Sequence, residues 1–549
     1  MSALRFIPLG GLGEIGRNMN VFEYEQDILI VDAGVMFPEN DMLGIDLVIP
    51  NFAYLRDKKD RVRGIVITHG HEDHTGALPF LLEEIQAPIY STRLVLAMVE
   101  PKLKEHFGKR LKPDLRELNP GDAIRLGPFT VHAILLSHSI PDSLALAIDT
   151  PIGRVIHSGD FKIDYTPGAG GRPHLAQLAA LAADGVLALF SDSTGAEKAG
   201  FTPSEKTIEP AFDQIMRQAP GRVIVATFAS QLNRFQQLID ISHRYNRKVA
   251  IAGRSLEQNF EIARRLGYLK VPKGTHIKLE TAKKLPPQQV TLLITGSQGQ
   301  PEAALARMAA GRHRDLMLTP TDTVVISATP IPGNEEEVAR MINQLVERGV
   351  EVVYPPIAHV HVSGHASQEE MKLLLALTRP RFFVPVHGEA RHLHLHARLA
   401  ESMGLPRENI FRLKNGEVLE ITPESCRVVE TVPGGYVFVD GSGVGDIGPA
   451  VIREREALGR DGVVTVVITV RKDSRDFAAD PQIVTSGVVY KDQADATLQG
   501  AQEALTRALA QSKRGRSALA NTAREALSRY FYQSTRRNPV ILPVVVEVD

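Results

Sequence analysis

The stretch VRGIVITHGHEDH, residues 62–74, decides how this chain folds. Residues 62–68 are an apolar, β-branched run of strand length, and residues 75–86 beyond the histidines carry helical periodicity. The histidine cluster is therefore expected at the carboxyl end of a strand. His69, His71, Asp73 and His74 place four potential ligands within six positions. Imidazoles bind zinc and related ions, a carboxylate offsets their charge, and a loop at a strand end lets alternate side chains converge on two neighbouring ions. A solvated polar loop is the bland alternative, and three histidines with one aspartate at this spacing weigh against it.

Outward from this run, residues 4–34 read as short alternating strands, clearest at 20–24 and 27–32. Strand-like runs at 129–136, 144–149 and 153–157 each lead toward a His or Asp, which suggests one sheet delivering ligands to one rim. From about residue 201 the pattern becomes β-α alternation, with VIVATFAS, KVAIAG, VTLLITGSQG and TVVISATP each followed by a helical segment. That predicts a second domain on a mainly parallel sheet. At 352–357 and 381–387 the chain is expected to return to strands of the first domain, so the second reads as an insertion. The expected limits are 1–200 and 353–430 for the two parts of the first domain, 201–352 for the insertion, 431–459 for a Gly-rich linker, and 460–549 for a small carboxyl-terminal α/β domain.

Composition narrows the function. A chain of 549 residues is too long for one core, and two to four domains are expected. Hydrophobic residues at 43% and charged residues at 23% are ordinary for globular proteins, and no apolar run approaches bilayer-spanning length. The opening MSALRFIPLGGLGEIG lacks the pattern of a secretory signal, so the cytoplasm is the expected location. The single cysteine, Cys426, rules out a cysteine-rich metal cluster, so any metal must use His and carboxylates. A net charge of −1 gives no global basic field, so a polyanion would have to be gripped by local grooves and metals.

The histidine run resembles the signature of metallo-β-lactamase-fold hydrolases, and further motifs of that superfamily occur in order: Asp32 in VDAG, His138 in SHS and Asp160 in SGD. The resemblance implies that His69, His71 and His138 hold one metal, that Asp73 and His74 hold another, and that Asp160 bridges them. It places Asp32 behind the ligands, orienting them. SDST at 191–194, SGHAS at 363–367 and VHGE at 386–389 resemble the three motifs of the β-CASP nucleases. They imply action on nucleic acid, with His387 completing the second metal's shell, His365 near the scissile phosphate, and Asp192 supporting His365 or the metals. Asp73, Asp192 and His365 are thus the expected catalytic set.

With GGLGEIGRN at 10–18, these motifs resemble the ribonuclease J family over residues 5–549. The implied fold is α/β: an αββα metallo-β-lactamase domain with an inserted α/β β-CASP domain and a small carboxyl-terminal α/β domain. The implied activity is metal-dependent 5′-to-3′ exonuclease and endonuclease cleavage of single-stranded RNA, favouring 5′-monophosphate ends, in RNA maturation and decay. Two divalent ions, Zn²⁺ or Mn²⁺, are implied, as is a homodimer or higher even assembly, with other RNA-decay proteins as further partners and no membrane. A DNA-directed β-CASP nuclease and a metal-free RNA-binding subunit are the alternatives; the intact ligand set argues against the second. A terminal-phosphate pocket has candidates in Ser363, Gly364, His365 and Ser367, with Ser230 and Ser297 at the ends of inserted-domain strands, where hydroxyls and loop N–H groups suit anions.

Other signals read as structural. Gly11 to Gly16 spell G-x-G-x-x-G, but a strand rather than a helix follows, so no helix N-terminus awaits a pyrophosphate. His392, His394 and His396 fall on a predicted helix where only the first and last share a face. His359 and His361 are expected on one face of a strand. Lys513, Arg514, Arg516, Arg524, Arg529, Arg536 and Arg537, with Tyr530, Phe531 and Tyr532, form a basic and aromatic segment open to RNA contact, packing or assembly.

Overall fold

The alternation at the amino terminus becomes two antiparallel strands, Met19–Tyr24 and Asp27–Val31, with Asn20 opposite Val31 and Tyr24 opposite Asp27. They lie within an eight-stranded sheet in the order Cys426–Thr431, Glu417–Ile421, Leu4–Gly10, Met19–Tyr24, Asp27–Val31, Val62–Val66, Ile89–Ser91, Leu115–Glu117. Because side chains alternate across a strand, Leu29 and Val31 enter one core while Ile28 and Ile30 are buried on the opposite face. A six-stranded sheet faces it, in the order Phe382–Val386, Ala188–Asp192, Gly153–His157, Ser143–Thr150, Phe129–Leu136, Ala123–Leu126. Phe190 from this sheet meets Phe6 and Phe22 from the other, with ring centroids 4.2 and 5.2 Å away, so one apolar layer fills the sandwich. The outer face of the six-stranded sheet is covered by the helices Leu175–Ala182, Gln368–Thr378 and Ala390–Ser402.

This computed structural model describes residues 2–168, 170–441, 443–472, 476–488, 494–512 and 515–549. The chain divides into two units, Met1–Phe37 with Val48–Val437 and Pro38–Leu47 with Phe438–Asp549. Within the first unit the inserted domain is a five-stranded parallel sheet in the order Lys248–Ala252, Val290–Ile294, Val223–Ala226, Thr323–Ile326, Glu351–Val353. Its strands are nearly continuous apolar runs because both faces are covered. Phe212, Phe235 and Phe260 from three helices pack on one face, and Leu305, Met341 and Leu345 from two others pack on the second. Leu94, Met98 and Ile140 of the sandwich join the first of these clusters and seat the insertion on it.

One expectation is corrected here. The run at 352–357 does not return to the sandwich: Glu351–Val353 is the edge strand of the inserted sheet, paired parallel with Thr323–Ile326, and a turn follows. The return comes only at Phe382–Val386, which pairs parallel with Ala188–Asp192. Residues 358–363 likewise form no strand, so His359 and His361 share no sheet face.

In the second unit, Val463–Arg471 lies between antiparallel Gln482–Ser486 and parallel Val540–Val548. Val464, Val466 and Ile468 pack against the helices Ala494–Ala510 and Arg516–Thr535 through Leu505, Leu519, Leu527 and Phe531. The aromatic triplet therefore splits: Phe531 is core, Tyr530 donates to the Thr497 carbonyl at 3.0 Å, and Tyr532 is exposed. Arg516, Arg524 and Arg529 are exposed, and Lys513 and Arg514 lie outside the described residues. Among the described residues no helix is long and apolar enough to cross a membrane.

Candidate metal centre

The site is assembled where strands end. Asp32 follows Asp27–Val31, the 69–74 run follows Val62–Val66, His138 follows Phe129–Leu136, Asp160 follows Gly153–His157, Asp192 ends Ala188–Asp192, and His387 follows Phe382–Val386. Asp27–Val31 runs parallel to Val62–Val66, and the last three strands are mutually parallel, so their carboxyl ends reach common rims. Close approach of the first two loops requires Gly34: a Cβ there would lie 1.5 Å from the Asp73 carbonyl oxygen. Asp32 and His387 adopt φ of +64° and +50°, uncommon for residues with side chains, which turns both side chains out of their strands' direction.

The hydrogen bonds determine which imidazole nitrogen is bare. Gly364's carbonyl accepts from His138 Nδ1 at 2.7 Å, leaving His138 Nε2 without a proton. Thr68 Oγ1 donates to Asp32 at 2.9 Å, so it accepts from His69 Nδ1 at 3.1 Å and leaves His69 Nε2 bare. Both bare nitrogens lie 3.1 Å from His71 Nδ1. Nitrogens bound to one tetrahedral zinc at its usual bond length stand roughly 3.3 Å apart, so the spacing suits a shared ion.

His74 Nδ1 donates to Asp32 at 2.8 Å, so His74 Nε2 faces Asp160 at 3.2 Å and Asp73 at 3.5 Å. His387 Nδ1 faces Asp160 at 3.1 Å and Asp192 at 3.3 Å, while its Nε2 is buried without a hydrogen-bond partner, 3.5 Å from Asp73. Asp160 stands between the groups: one carboxylate oxygen is 3.7 Å from His69 and 3.9 Å from His138, and the other reaches His387. His365 Nδ1 bonds Asp192 at 2.8 Å, and Asp192 is held in turn by the Thr194 N–H and hydroxyl at 2.9 and 2.8 Å. Three groups could hold an ion: His69, His71 and His138; Asp73, His74, Asp160 and His387; and Asp160, Asp192, His365 and His387.

Charge points the same way. Burial, reinforced by neighbouring histidines, pushes His69 and His138 well below the ordinary imidazole pKa, and burial holds His71 near 4. All three are neutral at pH 7, as ligands must be. Burial opposes charge on His74 and His387 too, but Asp160, joined by Asp73 and Asp32 at His74 and by Asp192 and Asp73 at His387, outweighs it and holds both well above the ordinary value. For Asp73 and Asp160 burial acts upward, yet these imidazolium charges keep both carboxylates well below their usual range. Without metal, then, protons on His74 and His387 compensate buried carboxylates, and a divalent cation would displace them. Zinc binding is expected to release protons at pH 7 and to weaken as pH falls, measured by calorimetry in buffers of different ionisation enthalpy; a buffer-independent heat would contradict this.

The terminal-phosphate candidates divide. Ser230 and Ser297 follow neighbouring strands in which Ala226 pairs with Ile294, so both lie on the carboxyl rim of the inserted sheet. Ser363 and Gly364 adjoin His365 beside the metal groups, with the Ser363 hydroxyl accepting the His365 N–H at 3.2 Å. Ser367 is corrected to a helix cap. Its N–H goes to Glu370 at 2.8 Å, and its hydroxyl, buried and 2.8 Å from Thr202 Oγ1, must donate there because Thr202 donates to the His365 carbonyl. No donor of Ser367 is left for a phosphate.

Sequence reasoning passed over Thr68 and Thr194, which sit inside quoted motifs, and Asn18, whose amide lies 3.1 Å from His74 Nε2. The helix Ala390–Ser402 uses its histidines locally: His392 accepts the Glu389 N–H at 3.2 Å, His396 bonds Ser193 at 3.0 Å, and His394 lies 3.3 Å from Arg412. The glycine-rich opening forms the short strand Leu12–Gly13 against Gly388–Glu389, with no helix behind it.

Comparison with known proteins agrees with this layout. Residues 12–199 match the metallo-beta-lactamase superfamily, 220–345 the ribonuclease J beta-CASP domain, 349–411 a Zn-dependent metallo-hydrolase RNA specificity domain, and 450–548 the ribonuclease J C-terminal domain. A crystal structure of a protein of unknown function from Enterococcus faecalis covers 76% of this chain and all of its own at a TM-score of 0.54 and 14% identity, a likeness of fold alone. Ribonuclease J 1 of Streptococcus pyogenes is 43% identical over 98% of this chain and 97% of its own. Ribonuclease J of Thermus thermophilus is 44% identical over 99% of this chain and 95% of its own. Identity at this level along nearly the whole length of both relatives places the chain in the ribonuclease J family, as a metal-dependent ribonuclease.

Proposed function

We propose that this chain hydrolyses single-stranded RNA with two divalent ions, Zn²⁺ or Mn²⁺, cutting both internally and 5′-to-3′ from monophosphorylated ends, in RNA maturation and decay in the cytoplasm. The observation that carries the reading is the position of Asp160 between two groups of ligand type, 3.7 Å from His69 on one side and 3.2 Å from His74 on the other, with His365 held beside them by Asp192. His69, His71 and His138 would hold one ion, Asp73, His74 and His387 the other, and Asp160 both. Such ions, when bound, supply an activated water and offset charge on the phosphoryl oxygens.

The chain's own groups do the rest. Asp32 occupies His74 Nδ1, which would leave Nε2 as the atom that holds an ion. Asp192 accepts from His365 Nδ1 and compensates the positive charge of the doubly protonated ring, so in that imidazolium form the Nε2–H is the proton given to the departing 3′-oxygen as the P–O bond breaks, leaving a 5′-phosphate on the downstream product. His365 keeps 21% of its side chain exposed, enough to meet a substrate.

A terminal monophosphate would be received by Ser230, Ser297 and the 363–365 loop. Ser230→Ala and Ser297→Ala should each lower the rate preference for 5′-monophosphate over 5′-hydroxyl RNA about 10- to 100-fold, one hydrogen bond to a charged group being worth about 1.5–3 kcal/mol, with internal cleavage retained. Product ladders on 5′-monophosphate, 5′-triphosphate and 5′-hydroxyl RNAs and on matched DNA test this. Equal rates at every end would defeat the end-directed reading, and equal rates on DNA the RNA-directed one.

A homodimer or higher even assembly is supported by the sheet of the second unit. The face opposite its helices exposes Val484, Leu542, Val544 and Val546, an apolar surface across two of its strands. Leu542→Lys with Val544→Glu should lower the mass measured by light scattering while leaving cleavage of short RNA in place; an unchanged mass would remove this face from the assembly.

A further inference from the structure

Residues 360–365 carry His365 yet belong to no helix or strand, so their shape depends on what their carbonyls accept. Val360's carbonyl accepts from Arg234 Nη1 at 2.8 Å and from Ser327 Oγ at 2.7 Å. Ser363's accepts from Lys162 Nζ at 3.2 Å, Gly364's from His138 Nδ1 at 2.7 Å, and His365's from Thr202 Oγ1 at 2.7 Å. The strap is thus pinned from both domains. Lys162 lies just past Asp160 at the sandwich rim, and Arg234 sits on the inserted-domain helix Leu232–Arg244.

Glu205 ties the two cations together, one carboxylate oxygen 3.4 Å from Lys162 Nζ and the other 3.0 Å from Arg234 Nη2. All three residues are buried, with Arg234 at 0%, Lys162 at 1% and Glu205 at 3% exposure. Desolvating an ion triad costs about as much as its attraction returns, and apolar residues of the same volume often stabilise a fold as well. What apolar residues could not do is hold the Val360 and Ser363 carbonyls by directed donors.

We propose that Lys162, Glu205 and Arg234 are positioning residues that clamp the 360–365 strap. Through it they set where His365 stands against Asp192, and they keep the Gly364 carbonyl on His138 Nδ1. Gly364 leaves no slack in this contact, since a Cβ there would lie 2.6 Å from the His138 ring. The inference rests on the proton-donor reading of His365, and its test separates the two.

Arg234→Lys keeps a cation beside Glu205 but replaces the rigid fork, whose Nη1 and Nη2 face the Val360 carbonyl and Glu205 separately, with a single point of charge on a shorter stem. In the full-length, metal-loaded enzyme it should lower kcat on 5′-monophosphorylated RNA about 10- to 100-fold, the scale of an ångström-level misplacement, with KM little changed. In a His365→Ala background the same substitution should cost no further kcat. In the metal-free protein, zinc affinity from chelator competition should fall about 10-fold, as when a group orienting a ligand histidine is lost. Ser327→Ala, which removes a neutral hydroxyl that donates to the Val360 carbonyl and accepts from Arg234 Nη1, runs the same cycle should Arg234→Lys fold poorly, with a several-fold loss expected. A lower melting temperature with unchanged kcat and zinc affinity, or losses that multiply in the double variant, would overturn the proposal. Should His365→Ala cost nothing, the proton-donor reading falls, and the zinc affinity of Arg234→Lys alone then decides: unchanged affinity overturns the clamp.

Discussion

Replacing Asp160 with asparagine should abolish metal loading and RNA hydrolysis together, with a loss of roughly 10³-fold or more, beyond the about 10- to 100-fold typical of groups that only orient ligands. Asp160 is singular because one of its carboxylate oxygens spans the two groups, 3.2 Å from His74 and 3.7 Å from His69, while the other lies 3.1 Å from His387. Asparagine keeps the shape and removes the charge, so a fold defect and a site defect come apart. In the metal-free protein the same change should let His74 and His387 titrate lower, because Asp160 is the strongest influence holding both above the ordinary imidazole value against burial. Histidine nitrogen shifts by NMR and metal content by mass spectrometry would show both effects. Wild-type turnover from an Asp160→Asn enzyme carrying no metal would end the two-metal reading.

His365→Ala should behave differently, lowering kcat about 10²- to 10⁴-fold, the usual contribution of a positioned proton donor, while metal content stays at the wild-type level. The distinction matters because His365 also falls in a group that could hold an ion, with Asp160, Asp192 and His387. Its Nδ1 is taken by Asp192 at 2.8 Å and stands 3.9 Å from Asp160, a placement that suits a donor held by a carboxylate better than a ligand. Asp192→Asn should reproduce most of the loss, since a neutral amide no longer compensates the charge of the doubly protonated ring that gives the proton. Loss of one ion from His365→Ala would instead make it a ligand and move the proton-transfer role elsewhere.

Much of this site is legible in the chain before it folds. The run from His69 to His74 declares metal chemistry because residue types and spacing alone limit what it can do, and the apolar run before it predicts a strand end, where the structure places it. The parallel sheet of the insertion is legible for the same local reason, four apolar runs each followed by a helical pattern. Residues 352–357 mislead because a short apolar strand carries no mark of which sheet it will join. Glu351–Val353 fits the edge of the inserted sheet as readily as the sandwich, and only long-range pairing decides. Ser367 misleads because a serine before a helix can cap it or offer a donor outward, and Glu370 and Thr202 settle that choice by occupying both its donors.

By itself, then, the sequence determined the candidate ligand types, their order along the chain and the fold class, because side-chain chemistry and periodicity are local properties that survive in an unfolded string. Only the tertiary structure decided which imidazole nitrogens are bare. That depends on Thr68, Asp32 and Gly364 taking the opposite ring atoms across separations of up to 226 residues. It likewise decided that Lys162, Glu205 and Arg234 meet, since nothing in the spacing of three ordinary charged residues announces a buried contact. Burial supplies the physical reason in both cases: once water is excluded, each polar atom must find a specific partner, and which partner is within reach is set by the packing of distant elements.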